Sequence, residues 1–129
     1  KLSKSLLNVQ DKNTGLWYQV LDMGGRDGNY IEASGSAMII YAYAKGSNQG
    51  YLPKKYFQIA DKAFNNLVNN LVTEGDDGYP VLTHTCGACG LGGNPYRLGD
   101  YAYYISEKQI DNDPKGVGPV ILAAIELNK

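Results

Sequence analysis

The chain has 129 residues, enough for one domain, and 43 % of them are hydrophobic, which excludes a disordered polypeptide. Twelve basic residues against 13 acidic ones leave a formal charge of −1. Such a balance points away from nucleic acid and from anionic membranes, and no segment is long and apolar enough to cross a bilayer. Eleven Tyr and 16 Gly stand against only 2 Phe. That bias suggests broad loops lined by amphipathic rings, a character that sugar sites share with antibody loops and ordinary turns.

Leu2, Leu6, Leu7 and Val9 recur near helical spacing among polar neighbours and predict the end of an amphipathic helix, stopped by Asp11 to Gly15. The opening Lys1 to Gln10 has no signal-peptide core and no initiating Met, as in a processed chain or one that starts inside a larger protein. Leu16 to Leu21 is aromatic and β-branched, and predicts an extended piece with Leu16, Tyr18 and Val20 on one side and Trp17, Gln19 and Leu21 on the other. Met23 to Asn29 is a loop. A long helix begins between Glu32 and Ser36, with Ser34 or Ser36 as its cap, and runs through Met38, Ile40, Tyr41 and Tyr43 to Gly46. Apolar nearly all round, it belongs between neighbours. Pro53 marks the next helix start, and Tyr56, Phe57, Ala60, Ala63, Phe64, Leu67, Leu71 and Val72 give the clearest amphipathic stripe in the chain. Glu74 to Gly78 closes it, and Tyr79 to Thr83 is a second extended piece. Cys86 to Gly99 forms a glycine-rich loop of a length that often carries function. Asn112-Asp113-Pro114 is a turn, and a last helix starts near Val117 or Gly118 with Pro119 in its first turn.

Cys86 and Cys89 are the only cysteines, in Cys-Gly-Ala-Cys two residues after His84. These three groups fall short of the four ligands of a structural zinc site, and the loop lacks the strand-to-helix setting of a thioredoxin pair, leaving two loop thiols, free or loosely paired. Such a pair suits a bacterial cytoplasm or a periplasm alike.

The order of elements repeats. Gly15-Leu16-Trp17 corresponds to Gly78-Tyr79-Pro80, and Gly35-Ser36-Ala37-Met38 to Gly116-Val117-Gly118-Pro119, each pair following a helix and preceding or opening a buried one. A helix-hairpin period of this kind implies an α/α toroid or helical repeat, in which a stretch this short leaves some apolar faces without a neighbour.

Four segments, Gly15 to Asp22, Tyr30 to Met38, Gly90 to Arg97 and Asp113 to Pro119, are similar in order and spacing to segments of glycoside hydrolase families 88 and 105. The resemblance covers nearly the whole chain. It implies an all-α fold, a part of an (α/α)6 toroid of six helical hairpins with short extended segments, residues 1–129 being its C-terminal part. The activity it implies is removal of a 4,5-unsaturated uronic acid from an oligosaccharide, in family 105 typically a pectin-derived unsaturated rhamnogalacturonan disaccharide. No metal or organic cofactor is implied. The enol ether is protonated at C4 by an aspartic acid, water adds at C5, and the hemiketal opens to release the sugar, in place of the usual two-carboxylate displacement. In these families that aspartate lies upstream of the Gly-Leu-Trp segment. No residue of this stretch is therefore assigned as the acid, and the chain alone is expected to be inactive: a fragment, or one half of a split protein completed by a second chain. Many relatives carry Trp-x-Arg-Gly-x-Gly-Trp where this chain has Tyr30-Ile31-Glu32-Ala33-Ser34-Gly35-Ser36. Glu32 thus replaces an arginine that could clamp a uronate, and would repel one.

The residues expected to bind substrate are Trp17, Gln19, Tyr30, Glu32, His84, Arg97 and Lys115. Trp17 is either a stacking platform at the toroid mouth or a core residue, and Gln19 beside it could bond hydroxyls. Glu32 is a site group or a helix N-terminal carboxylate. His84 is an acid/base or a loop residue held by one backbone bond. Arg97 is the best candidate for an anion contact, its structural alternative being an ion pair with Asp100, and Lys115 could act similarly. Tyr101, Tyr103 and Tyr104 are read as packing. A non-catalytic carbohydrate-binding piece and a helical-repeat interaction module are the competing functions.

Overall fold

The computed structural model describes residues 1–129. Its elements in chain order are α1 (Leu2–Asn8), α2 (Ala33–Asn48), α3 (Lys55–Leu71), β1 (Val72–Glu74), β2 (Pro80–Leu82), β3 (Thr85–Cys86), α4 (Tyr101–Ser106), β4 (Gln109–Ile110) and α5 (Pro114–Leu127). The strands are minor: β1 and β2 form an antiparallel hairpin with Val72 opposite Leu82, and β3 pairs antiparallel with β4, Thr85 opposite Ile110.

Helix directions follow from contacts at the two ends. The Ala33 N–H at the start of α2 donates to the His84 carbonyl (3.0 Å), and Gly116 at the start of α5 packs on the neighbouring Thr85. At the far end the Asn48 amide donates to the Glu126 carbonyl (2.7 Å). So α2 and α5 lie side by side and run parallel. α3 follows α2 after a short turn and runs back, its Leu71 carbonyl accepting from Thr83 N–H (2.8 Å). α1 precedes α2 in the same relation, tied by the Tyr43 hydroxyl to the Ser3 carbonyl (2.7 Å). Parallel helices with antiparallel ones between them in sequence are the alternation of a helical toroid. The repeat predicted from sequence is therefore physical: Gly15 and Gly78 both adopt left-handed backbone, at φ 68° and 78°.

The core is one cluster. Tyr56, Ala60, Ala63, Leu67 and Leu71 of α3, three or four residues apart, face Ala33, Ala37, Ile40, Tyr43 and Ala44 of α2. Tyr43 is the hub, edge-on to both Trp17 (6.0 Å between ring centres) and Tyr56 (5.0 Å). Ile121 and Ile125 of α5 are each 53 % exposed, and Met38 of α2 is 49 % exposed. These are the faces without a neighbour that the short stretch predicts.

Three sequence expectations need correction. Residues 16–21 make no strand: Tyr18 forms a lone bridge with Ile31, and Leu16 and Trp17 are both buried because the segment threads between helices and is covered on both sides. Neither Ser34 nor Ser36 caps α2; Glu32 does, accepting from the N–H groups of Ser34 and Gly35, while Ser36 bonds the Trp17 backbone. And α5 starts at Pro114, not near Val117, because Asp113 accepts from Lys115 N–H (2.9 Å) and Pro114 fits the first helical position. Pro119 consequently lies inside the helix, where the Lys115 carbonyl loses its usual donor.

Candidate functional site

The N-terminal ends of α2 and α5 meet the loops at one end of the molecule, and four expected residues gather there. The Gln19 backbone N–H donates to the Tyr30 carbonyl (2.8 Å), and the Glu32 N–H to the Trp17 carbonyl (2.9 Å), so residues 17–19 and 30–32 lie side by side, antiparallel, at the start of α2. Tyr30 stands beside the exposed His84, their ring centres 6.4 Å apart. His84 has left-handed backbone (φ 60°), which aims its carbonyl at the start of α2, and its Nδ1 lies 2.7 Å from the Thr83 hydroxyl.

Glu32 is the keystone of this end. Its carboxylate accepts from Ser34 N–H (3.2 Å), the Ser34 hydroxyl (2.8 Å), Gly35 N–H (2.5 Å) and, across the fold, Cys86 N–H (3.0 Å). The residue is buried and its oxygens are occupied. It therefore serves as cap and cross-link, the helix-carboxylate alternative raised from sequence.

Cys86 and Cys89 are disulfide-bonded, which corrects the expectation of free or loose thiols: β3 fixes Cys86, and the Gly-Ala turn brings Cys89 back to it. The Gln19 amide contacts Cys89 Sγ at 2.8 Å. Beyond the disulfide, Arg97 folds the glycine loop on itself. Its Nε donates to the Gly92 carbonyl (2.9 Å) and the two residues form a backbone bridge. The guanidinium lies so close to Gly90 and Gly93 that a Cβ at either would meet it within 2.8–3.0 Å. The expected alternative, an ion pair with Asp100, does not form; Asp100 instead caps α4 through Tyr103 N–H (2.8 Å). Arg97 also lines an open cleft of about 430 Å³, shared with Tyr96, Asp100, Tyr103 and Glu107.

Sequence reasoning missed Tyr103 and Glu107, reading the first as packing. The Tyr103 hydroxyl reaches the Ala88 carbonyl (3.1 Å), and the Glu107 carboxylate raises its phenol above the usual range, burial adding to the effect. Their spacing of four residues was visible, but not which wall they face. The same Glu107 lies near Tyr30. Burial first, then the negative charges of Glu32 and Glu107, push the Tyr30 phenol up to about 12, and its buried hydroxyl has no partner. Tyr30 is thus a neutral donor at any physiological pH.

Two expected residues do not join the group. Trp17 is 1 % exposed, its Nε1 donating to the Leu6 carbonyl (2.8 Å), so it is the core tryptophan and has no ring face to offer a sugar. Lys115 holds its ammonium on Asp113 Oδ2 (2.6 Å) at the start of α5. A larger open depression of about 500 Å³ lies between Asn8–Asn13 and Tyr18–Gly25 and contains none of the expected residues.

A mostly helical chain with parallel helices opening onto one loop-rich end has the architecture of a helical toroid, and known proteins match it along its whole length. The family model described as Glycosyl Hydrolase Family 88 matches residues 1–129, and the chain belongs to that family. It is similar to a structure described as a family 105 glycoside hydrolase of C. acetobutylicum ATCC 824, with 48 % identity and a TM-score of 0.94 over 98 % of this chain and 35 % of that one. A possible family 105 member from Salmonella enterica serovar Paratyphi A gives 27 % identity and a TM-score of 0.76 over 96 % of this chain and 29 % of that one. Among curated proteins, "Protein Atu3128" of Agrobacterium fabrum and the "24.9 kDa protein in picA locus" of Rhizobium radiobacter are each 38 % identical over 92 % of this chain. The chain spans about half the length of these curated relatives, 53 % in each case.

Proposed function

We propose that residues 1–129 form the C-terminal wedge of a six-hairpin toroid that removes a terminal 4,5-unsaturated uronic acid from an oligosaccharide, such as one derived from pectin. The observation that carries this reading is the convergence of Gln19, Tyr30 and His84 at the start of α2, next to the loop whose Arg97 lines an open cleft. An anionic sugar needs a local cation in a chain of net charge −1, and Arg97 is the cation this end supplies. The Gln19 side-chain amide adds a neutral donor for hydroxyls, and the exposed His84 ring stands beside Tyr30 at the same end. Protonation of the enol ether at C4 is left to an aspartic acid outside this stretch, followed by addition of water at C5 and opening of the hemiketal. The wedge then shapes and charges the site, and a second polypeptide segment completes the ring over Met38, Ile121 and Ile125.

The test follows loss of enol-ether absorbance with unsaturated galacturonyl-rhamnose. Residues 1–129 alone give no turnover; turnover by them would overturn the assignment of the acid elsewhere. In a longer polypeptide that turns over, Arg97→Ala raises KM about tenfold or more with kcat little changed, as expected for one lost charge-assisted contact. An unchanged KM removes Arg97 from the site. Sugar binding without turnover by the completed ring would favour the non-catalytic reading.

A further inference from the structure

We propose that the Cys86–Cys89 disulfide is a redox-sensitive strap whose reduction by an external dithiol frees the Arg97-bearing loop, residues 87–99, from the end of α2. The two cysteines are held very differently. Cys86 is buried in β3, with its N–H on Glu32 and its neighbour Gly87 donating to the Lys108 carbonyl (2.8 Å). Cys89 is exposed, and beyond the disulfide its side chain has only the Gln19 amide as partner. Past Cys89 the loop bonds mostly to itself, through the Gly92–Arg97 bridge and Arg97 Nε. Its other tie to the body is the Tyr103 hydroxyl, which meets the backbone at Ala88 and Gly90. Besides the peptide link through Gly87 and Ala88, the disulfide is thus the covalent tie that fixes Cys89 directly to the residue bonded to Glu32.

The exposed Cys89 sulfur is where a thiolate can attack. Attack there forms a mixed disulfide and expels the Cys86 sulfur, which takes up a proton. The second thiol of the dithiol then displaces Cys89, leaving two protein thiols and one cyclic disulfide of the reductant, two electrons and two protons having passed to the protein. Afterwards Cys86 stays in its strand, while Cys89 keeps a single N–H···S contact, and the loop swings on Gly87 and Gly99. Because this concerns loop order, it stands or falls independently of which sugar the site takes.

The experiment is hydrogen exchange by mass spectrometry on the whole chain, air-oxidised, treated with dithiothreitol, and re-oxidised. Thiol titration should find none free, then two, then none. Within residues 88–98 the Gly92 and Arg97 amides, which hold the loop's backbone bonds, should exchange at least about tenfold faster after reduction and recover on re-oxidation, with α2 and α3 unchanged. Cys89→Ser should show the fast exchange with or without dithiothreitol. Two free thiols in the air-oxidised protein, unchanged exchange in 88–98, or loss of protection throughout α2 and α3 would each overturn the proposal, the last by making the bond a global staple. If Cys89→Ser does not fold, the reversible cycle of the unsubstituted chain decides alone.

Discussion

Replacing Glu32 by Ala separates a structural carboxylate from a substrate contact. The substitution removes the cap of α2, a loss of about 1 kcal/mol. It also leaves Cys86 N–H, buried at the β3 edge, without its acceptor, for roughly 1–3 kcal/mol more. The sum, about 2–4 kcal/mol, should lower Tm by roughly 10 °C in a chain of this size. Urea denaturation followed by circular dichroism measures it directly. Glu32→Gln should fall between: one oxygen remains for Cys86 and Ser34, while the new amide turns donors toward the Gly35 N–H. A carboxylate held ready for a ligand behaves oppositely, since such groups cost stability and their removal is neutral or stabilising. A loss under about 0.5 kcal/mol in Glu32→Ala would refute the cap-and-cross-link reasoning and return Glu32 to the site.

Trp17, the sole tryptophan, should emit with a blue-shifted maximum, resist acrylamide, and not respond to galacturonate; quenching by the sugar would contradict its burial against Tyr43 and Leu6. Tyr43, like Tyr30, has its phenol pushed up to about 12, chiefly by burial. The unfolded chain releases these protons near pH 10 and the folded one only near 12, so stability is fully present below pH 10 and declines as pH rises toward 12. Tyr43 should account for roughly 1–2 kcal/mol of that decline. Tyr43→Phe should flatten the alkaline limb of a pH-stability profile, and an unchanged slope would count against burial as the cause.

Most of the helical frame was legible because its signals are local. The stripe from Tyr56 to Leu71 has the right period, and the all-round apolarity of α2 correctly placed it between neighbours. Where the reading failed, a distant partner decided the outcome. Alternation sorted Leu16 and Trp17 to opposite faces, but both faces are covered. Val72 looked like the last residue of the α3 stripe, yet it opens β1 because Leu82, ten residues on, pairs with it. Pro119 drew the start of α5 inward, although Asn112-Asp113-Pro114, read as a turn, is also the cap. At the candidate site, Gln19, Tyr30 and Glu32 came from segments that resemble the family, and His84 from being the only histidine. The involvement of Tyr103 and Glu107 depends on how α4 folds back over the glycine loop, which no spacing in the chain encodes.

The charge logic of the site changes once the partners of Glu32 are known. As a bare carboxylate in place of the relatives' arginine it would oppose a uronate. Bound by three N–H groups and a hydroxyl at the positive end of α2, its charge is already met within the fold. Lys115 is closed in the same way by Asp113. Arg97 differs from both: its Nε is spent on the Gly92 carbonyl, no carboxylate pairs with its guanidinium, and the residue lines the cleft. Under the proposed function, anion recognition at this end therefore falls to a loop and not to the rigid start of α2. A planar guanidinium cradled by Gly90 and Gly93 can hold a carboxylate only while that loop keeps its shape. Under that same proposal, the anchoring of residues 87–99 by Tyr103 and by the disulfide is a condition of binding as well as of local order.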